Sequence, residues 1–306
     1  MVAVALANRI HSDNSKTCPG EKFTGVTCRS VDNGLPAATR TSRVKFVIKR
    51  RNTAIQSCVH RPAPVWTMEP GGNDQMTRDE RNRAMTDFAD LRKNMVEHQL
   101  RTNDVTSSAV LDRFEELARE AFVPADRRAF AYTDSDVRVW DNGSGERRYL
   151  MEAYPFARLV QAAQIKPGDL VLDIGCGTGY STAVLAGFCE SVVAIESAAE
   201  LVDIATGNLI DLKIDNAVVL QSELQNGYAK EGPYDLIVIN GAVDEVPPVL
   251  FDQLRSDGRL LTFVGHGLSG NLTLFRKTGS GATSVPIMNA SVPPMPGFEH
   301  AESFVF

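Results

Sequence analysis

Three glycines at alternate positions, Gly175, Gly177 and Gly179, follow an apolar run that carries one acid, Val171-Leu172-Asp173-Ile174, and precede a helix-compatible segment opening at Tyr180. Glycine lets the chain turn tightly and puts no Cβ between backbone and ligand, so this stretch suits a cofactor lying on the main chain. A second apolar run, Val192 to Ile195, ends in Glu196, about twenty residues after the first strand, where a carboxylate can accept from two ribose hydroxyls.

The spacing narrows the ligand. A dinucleotide fingerprint is Gly-x-Gly-x-x-Gly, with the pyrophosphate on the N-terminus of the following helix. Here the third glycine comes one residue early and Tyr180 stands where the last glycine should be. A ribose site without a pyrophosphate cradle fits S-adenosyl-L-methionine and disfavours an NAD-dependent oxidoreductase. The candidate cofactor-binding residues are Asp173, Gly175, Cys176, Gly177, Gly179, Tyr180, Glu196 and Ser197. Asp173 is expected to face the cationic sulfonium and amino group. Cys176 reads as a small loop filler and not a nucleophile, because no His lies near it in sequence. His98 and His266 read as surface or structural residues.

Those residues need strands that end together. Apolar runs at 171–174, 192–196, 217–220, 236–240, 259–264 and 272–276 alternate with helical segments at 181–188, 198–212 and from Pro247 to Leu254. This alternation predicts an α/β fold with a doubly wound, mostly parallel sheet that binds ligands outside the carboxyl ends of its strands. Upstream, Ala153 to Ile165 is amphipathic. Phe88, Leu91, Met95 and Leu100 form one helical stripe, and Val110, Leu111, Phe114, Leu117 and Ala118 form another after a cap at Thr106 or Ser107. Together these predict an N-terminal helical cap. Ala131 to Trp140 reads as loop and short strand, and Asp141 to Arg148 as a polar turn around Gly143 and Gly145.

Charge divides the chain. Up to Ala84 there are 14 Lys and Arg against 7 Asp and Glu; from Met85 there are 18 against 31. Residues 1–84 lack a sustained apolar period, apart from Val44 to Ile48, and are expected to form a basic, disordered extension. An alternative is that translation begins at Met85. The Lys49–Arg51 cluster lacks interleaved aromatics and reads as a solvated tail, not a nucleic-acid contact. The expected cofactor-binding domain is 85–306, with a helical cap and loop at 85–150 and the α/β core and tail at 151–306.

No apolar run approaches the ~18 residues of a membrane span. The opening lacks the basic flank and cleavage site of a secretory signal. Five cysteines without a Cys-x-x-Cys pattern predict reduced thiols in a cytoplasmic protein and no metal site. The Pro-rich tail ends in Phe304, Val305 and Phe306, a candidate edge strand.

Several blocks resemble the protein-L-isoaspartate O-methyltransferase family, in the family's order: MVEHQLR at Met95 to Arg101, FVP at Phe122 to Pro124, AYTD at Ala131 to Asp134, VLDIGCGTGY, AIE at Ala194 to Glu196, PYDLIVINGA at Pro233 to Ala242, VP at Val246 and Pro247, and DGRLLTFVG at Asp257 to Gly265. The resemblance implies S-adenosyl-L-methionine as cofactor and methylation of the carboxylate of isoaspartyl residues in damaged proteins. It implies a protein or peptide partner, with no nucleic acid or membrane, and leaves oligomeric state open. It also assigns Glu223 to the adenine amino group, although Ser222-Glu223-Leu224 replaces the family's Gly-Asp-Gly.

One stretch departs from the family. The family's Gly-Gln-Thr-Ile-Ser-Gln-Pro-Tyr holds the substrate; counting back from Val171 puts Tyr149 on its threonine, Met151 on its serine, Glu152 on its glutamine, Ala153 on its proline and Tyr154 on its tyrosine. Tyr149, Met151, Glu152 and Tyr154 are thus the substrate-binding candidates, and no catalytic residue is assigned. A Glu beside a carboxylate substrate repels it unless it is protonated or paired, with Arg147 or Arg148 as partner. The alternatives are a same-fold methyltransferase with a different acceptor, or a non-catalytic S-adenosylmethionine-binding protein. A carboxylate acceptor needs no general base, because it is already ionised at neutral pH.

Overall fold

Helix α1 (residues 88–94) runs into a π-helical turn, Met95–Leu100, and a 3-10 turn, Arg101–Asn103, in a computed structural model that describes residues 88–265, 270–279 and 281–299. The expectations for residues 1–84, for His266 and for the Phe304–Phe306 strand lie outside the described residues. Within the first stripe, Leu91 is exposed and Val96 is buried in its stead. The Arg101 amide reaches back five residues to the Val96 carbonyl, and this wider turn shifts the apolar face off a 3.6 period.

Helix α2 (Ser108–Glu116) follows Ser107 and buries Val110, Leu111 and Phe114. It ends earlier than its stripe predicts, because Leu117 is extended and Arg119–Phe122 forms a separate 3-10 turn. Strands β1 (Val137–Asp141) and β2 (Arg147–Leu150) pair antiparallel. The stretch read as a polar turn is therefore the hairpin between them, and its last two residues belong to β2. Helix α3 (Ala153–Ala163) comes next.

The main sheet has seven strands: β3 (Leu170–Ile174), β4 (Ser191–Glu196), β5 (Ala217–Gln221), β6 (Tyr234–Val243), β7 (Leu254–Val264), β8 (Asn271–Thr278) and β9 (Gly281–Asn289). Their order is β5-β4-β3-β6-β7-β8-β9, with β3 to β7 parallel and β8 and β9 antiparallel. Helices α4 (Tyr180–Ala186), α5 (Ala199–Asp211) and α6 (Pro248–Asp252) connect them. The central strands are buried on both faces, which is why they read as continuous apolar runs. Along β3, Val171 joins one apolar cluster with α3, α4 and the cap, while Leu172 and Ile174 join the other with α6.

Hydrogen bonds tie the cap to the core at several points. Thr178 Oγ1 donates to the Phe122 carbonyl at 2.7 Å. Arg113 Nη2 donates to the Ala183 carbonyl at 2.6 Å, and Gln161 Oε1 accepts the Thr106 and Ser107 amides at 2.7 and 2.9 Å. The Pro-rich tail, residues 292–298, lies across the carboxyl end of β6, where Ala242 exchanges hydrogen bonds with Pro293 O and Met295 N. Among the described residues no helix is long and apolar enough to cross a membrane.

Candidate active site

The loop from β3 to α4 holds positive φ at Gly175, Gly177 and Gly179. At Gly175 a side chain is excluded twice over: φ is +74°, and a Cβ would meet the Met295 methyl at 2.4 Å. At Gly177 a Cβ would meet nothing within 4 Å, so that point of the loop faces open space. β3 and β4 are neighbours with Ile174 paired to Ile195, so the loop and Glu196 leave the sheet side by side.

Glu196 is fully buried. Its Oε2 accepts the Gly177 amide at 3.0 Å, tying the acid to the loop. Its Oε1 accepts from Arg148 Nε at 3.0 Å and from the Ser197 amide at 2.9 Å, and Arg148 Nη2 lies 2.9 Å away. Arg148 also donates to Ser197 Oγ at 2.8 Å and to Glu146 Oε1 at 3.0 Å. Thus Ser197 serves the carboxylate pair, and Oε1 is saturated while Oε2 keeps acceptor capacity for a hydroxyl.

Asp173 differs from its expected role. It is fully buried; Oδ2 accepts from Ser181 Oγ at 2.8 Å and Thr182 Oγ1 at 2.6 Å, and Oδ1 accepts from Asn240 Nδ2. Burial pushes its pKa up to about 6; the three hydrogen bonds oppose that shift and the nearby Glu196 charge adds to it. With both oxygens engaged by protein donors, Asp173 does not itself face the cleft. Asn240 stands between, in a stretch where the β6–β7 register shifts between Val238 and Ala242. Such irregularities re-aim side chains near sites. A carboxylate needs a donor, so Nδ2 is the end turned to Asp173.

A cleft follows the loop, lined by Tyr149, Met151, Gly175, Gly177, Tyr180 and Asn240 among others. One polar atom of a lining residue, Asn240 Oδ1, is buried without a partner, whereas the Tyr180 hydroxyl is turned to Arg119. An orphaned acceptor beside a Cβ-free loop is what a polar ligand would satisfy. Tyr180 also packs among Phe114, Phe122 and Phe156, with centroids 5.3–6.2 Å away, and under the Arg119 guanidinium at 5.0 Å. The residue that replaces the third glycine is thus a rivet between cap and core. Cys176 lines the cleft as a thiol: burial, then the Asp173 and Glu196 charges, hold its pKa well above the usual value.

Of the substrate candidates, Tyr149 and Met151 line the cleft. Glu152 and Tyr154 do not: the chain enters α3 there, the Glu152 amide is tied to Asp136 Oδ1 at 2.9 Å, and Tyr154 packs on the core. The Glu152 carboxyl is raised by burial and by Asp136 and Asp134, with Arg119 opposing. The proposed pairing is also redirected, since Arg148 meets Glu196 and Arg147 meets Asp141. Glu223 is exposed and accepts from Asn226 Nδ2 at 2.8 Å, because Leu224 takes the buried place at that turn. His98 is exposed, and Cys176 and Cys189 are free and buried. Among the described residues no His, Cys, Asp and Glu gather as a metal site.

Asn240 carries no role in the sequence reading, and Arg148 enters it only as a partner for Glu152, not for Glu196. The signal for Arg148 is an arginine on an inward position of an alternating strand, which burial obliges to have an acidic partner.

A doubly wound sheet with a glycine loop and a buried acid at neighbouring strand ends defines a nucleoside-cofactor enzyme class. Within it, the chain belongs to the protein-L-isoaspartate(D-aspartate) O-methyltransferase family, whose model matches residues 91–292. A protein-L-isoaspartate O-methyltransferase of Opitutus terrae is 33% identical over 202 residues, covering 66% of this chain and 83% of the relative. One from Methylorubrum populi is 37% identical over 198 residues, covering 64% and 88%. A solved protein-L-isoaspartate O-methyltransferase superposes with TM-score 0.60 at 26% identity, covering 67% of this chain and 66% of that one. A candidate enzyme of the same kind from Plasmodium falciparum, in complex with S-adenosyl-L-homocysteine, shares the fold at 20% identity and TM-score 0.55, covering 66% and 97%.

Proposed function

We infer that the chain is an S-adenosyl-L-methionine-dependent O-methyltransferase that methylates the free carboxylate of isoaspartyl residues in damaged proteins. The observation that carries this reading is the cleft lined by the glycine loop, whose Gly177 amide is held by the buried Glu196 behind it, in a chain that belongs to this family. S-adenosylmethionine supplies a methyl group on a sulfonium, and the acceptor oxygen takes it as the electron pair of the sulfur–carbon bond stays on sulfur. The protein's part is alignment, which suits a site that offers no evident general base. Gly175 to Gly179 would carry the cofactor, Glu196 Oε2 would accept a ribose hydroxyl, Asn240 would offer its unpartnered Oδ1, and Tyr180 would wall the cleft from the cap side. Tyr149 and Met151 would wall the acceptor side.

The domain reading accompanying this function is an extension at 1–84 and a catalytic domain at 85–306. The buried, unpaired Cys176 and Cys189 support a reducing, cytoplasmic setting. A protein substrate is the partner, without nucleic acid or membrane. The deciding experiment is transfer of labelled methyl into an isoaspartyl peptide and its normal aspartyl twin. Base-labile label in the first alone is the expected result. Cofactor binding with no ester on either peptide would move the assignment to another acceptor or to a non-catalytic role.

A further inference from the structure

β2 carries two arginines in succession, and strand alternation sends them to opposite faces. Arg148 and Leu150 are buried; Arg147 and Tyr149 are exposed. Arg148 is locked onto Glu196, Glu146 and Ser197. Arg147 stays half-exposed at the rim of a cleft, which it lines together with Tyr149, Met151, Gly175, Asn240 and Pro294. That cleft shares Tyr149, Met151, Gly175 and Asn240 with the cleft along the glycine loop, so the two are parts of one groove. Arg147 and Arg148 are the cations among its lining residues.

We propose that Arg147 receives the free carboxylate of the isoaspartyl substrate, as the donor that Met151 cannot supply. This rests on the isoaspartyl reading above and deepens it. Three observations carry it. First, Met151 stands in the cleft on the position of the family's serine and offers no hydrogen, so a carboxylate there must find its donor on another residue. Second, Arg147 shares its acid: its Nε and Arg138 Nη1 both lie 3.1 Å from Asp141 Oδ2, so neither guanidinium has that carboxylate to itself. Guanidinium is the side chain that grips a carboxylate with paired donors. Third, the half-buried Glu152, the acid that would have repelled this substrate, does not line the groove.

The arrangement has a consequence for turnover. Methylation converts the acceptor from an anion to a neutral ester, so a cation at the rim favours substrate over product and lets the ester leave.

The test uses the full chain and the variants Arg147→Gln and Arg147→Lys. Four quantities are measured: kcat and KM for an isoaspartyl peptide, calorimetric affinity for S-adenosylhomocysteine, and inhibition by the same peptide with its acceptor carboxylate replaced by a carboxamide. Arg147→Gln is expected to raise KM by about tenfold or more, since charge-assisted pairs are among the stronger hydrogen bonds. Cofactor affinity and carboxamide inhibition should stay near wild type, and Arg147→Lys should recover part of the loss. An unchanged KM, or a parallel rise in KM and in the carboxamide inhibition constant, would overturn the assignment, the second outcome marking a merely structural role. Calorimetric binding of the isoaspartyl peptide in the presence of S-adenosylhomocysteine needs no turnover. If wild type binds the peptide through Arg147 yet forms no ester, the activity reading fails while the carboxylate site stands. If wild type does not bind the peptide at all, the site fails too.

Discussion

Arg148 Nη2 lies 2.9 Å from Glu196 Oε1, with the two side chains 3% and 0% exposed, so the acid at the end of β4 is held by a base on a separate hairpin. Removing one member of a buried pair leaves the other charge uncompensated, at a cost of about 3–5 kcal/mol. Arg148→Met should therefore lower unfolding free energy by that order in urea titrations. Adding Glu196→Gln should restore much of it, since the uncompensated charge is then gone. A double variant no more stable than Arg148→Met would show that packing of the hairpin, and not charge, sets the loss.

Glu196→Gln keeps an acceptor oxygen but loses its charge. Because the Oε2 edge, tied to the loop through Gly177, is where a ribose hydroxyl is expected, S-adenosylhomocysteine affinity should fall by on the order of 1–3 kcal/mol, roughly five- to 150-fold. Calorimetry measures this directly, and NAD should show no binding to either protein. Equal affinity in the variant would remove Glu196 from the cofactor site.

Asp173 should make stability depend on pH in a defined window. Its carboxyl is raised from 3.8 to about 6 by burial, with its hydrogen bonds opposing and Glu196 adding. Between those values the folded state holds a proton that the unfolded state has released, so stability falls as pH rises from about 4 to 6 and is level above. A shift of about two units corresponds to ~3 kcal/mol. Denaturation of wild type and Asp173→Asn at several pH values should show the difference between them falling across this window. A constant difference would mean that Asp173 titrates normally.

The parts of this fold that were legible in the sequence are those whose chemistry restricts residue type. Strands buried on both faces must be apolar runs, and the loop at Gly175 admits no side chain beside Met295, so β3 to β7 and the glycine loop stood out. Strand β9 did not, because it is an exposed edge with Pro286 in it, and an edge strand carries neither alternation nor an apolar run. Leu91 was misplaced by a π turn that no local pattern announces. The pairings of Arg148 with Glu196 and of Asn240 with Asp173 were hidden for another reason: the partners lie 48 and 67 residues apart, and only the tertiary fold brings them together. Glu152 and Tyr154 were drawn into the site by counting along the chain, whereas the turn into α3 carries them out of it.

The boundary at Met85 can be tested on the protein itself. Upstream of it the sequence has no sustained apolar period and an excess of base over acid. Downstream, burial begins within a few turns, at Met95, Val96 and Leu100, and the family match begins at residue 91. If the catalytic domain is self-sufficient, a chain beginning at Met85 should keep the melting temperature of the whole protein to within ~2 °C, a change of about 0.5–1 kcal/mol for a domain of this size. Its affinity for S-adenosylhomocysteine should stay within about twofold, under half a kcal/mol. Differential scanning calorimetry with and without ligand reads both. A fall of many degrees on truncation would show that residues 1–84 pack on the core, and the domain boundary would then have to be drawn further upstream.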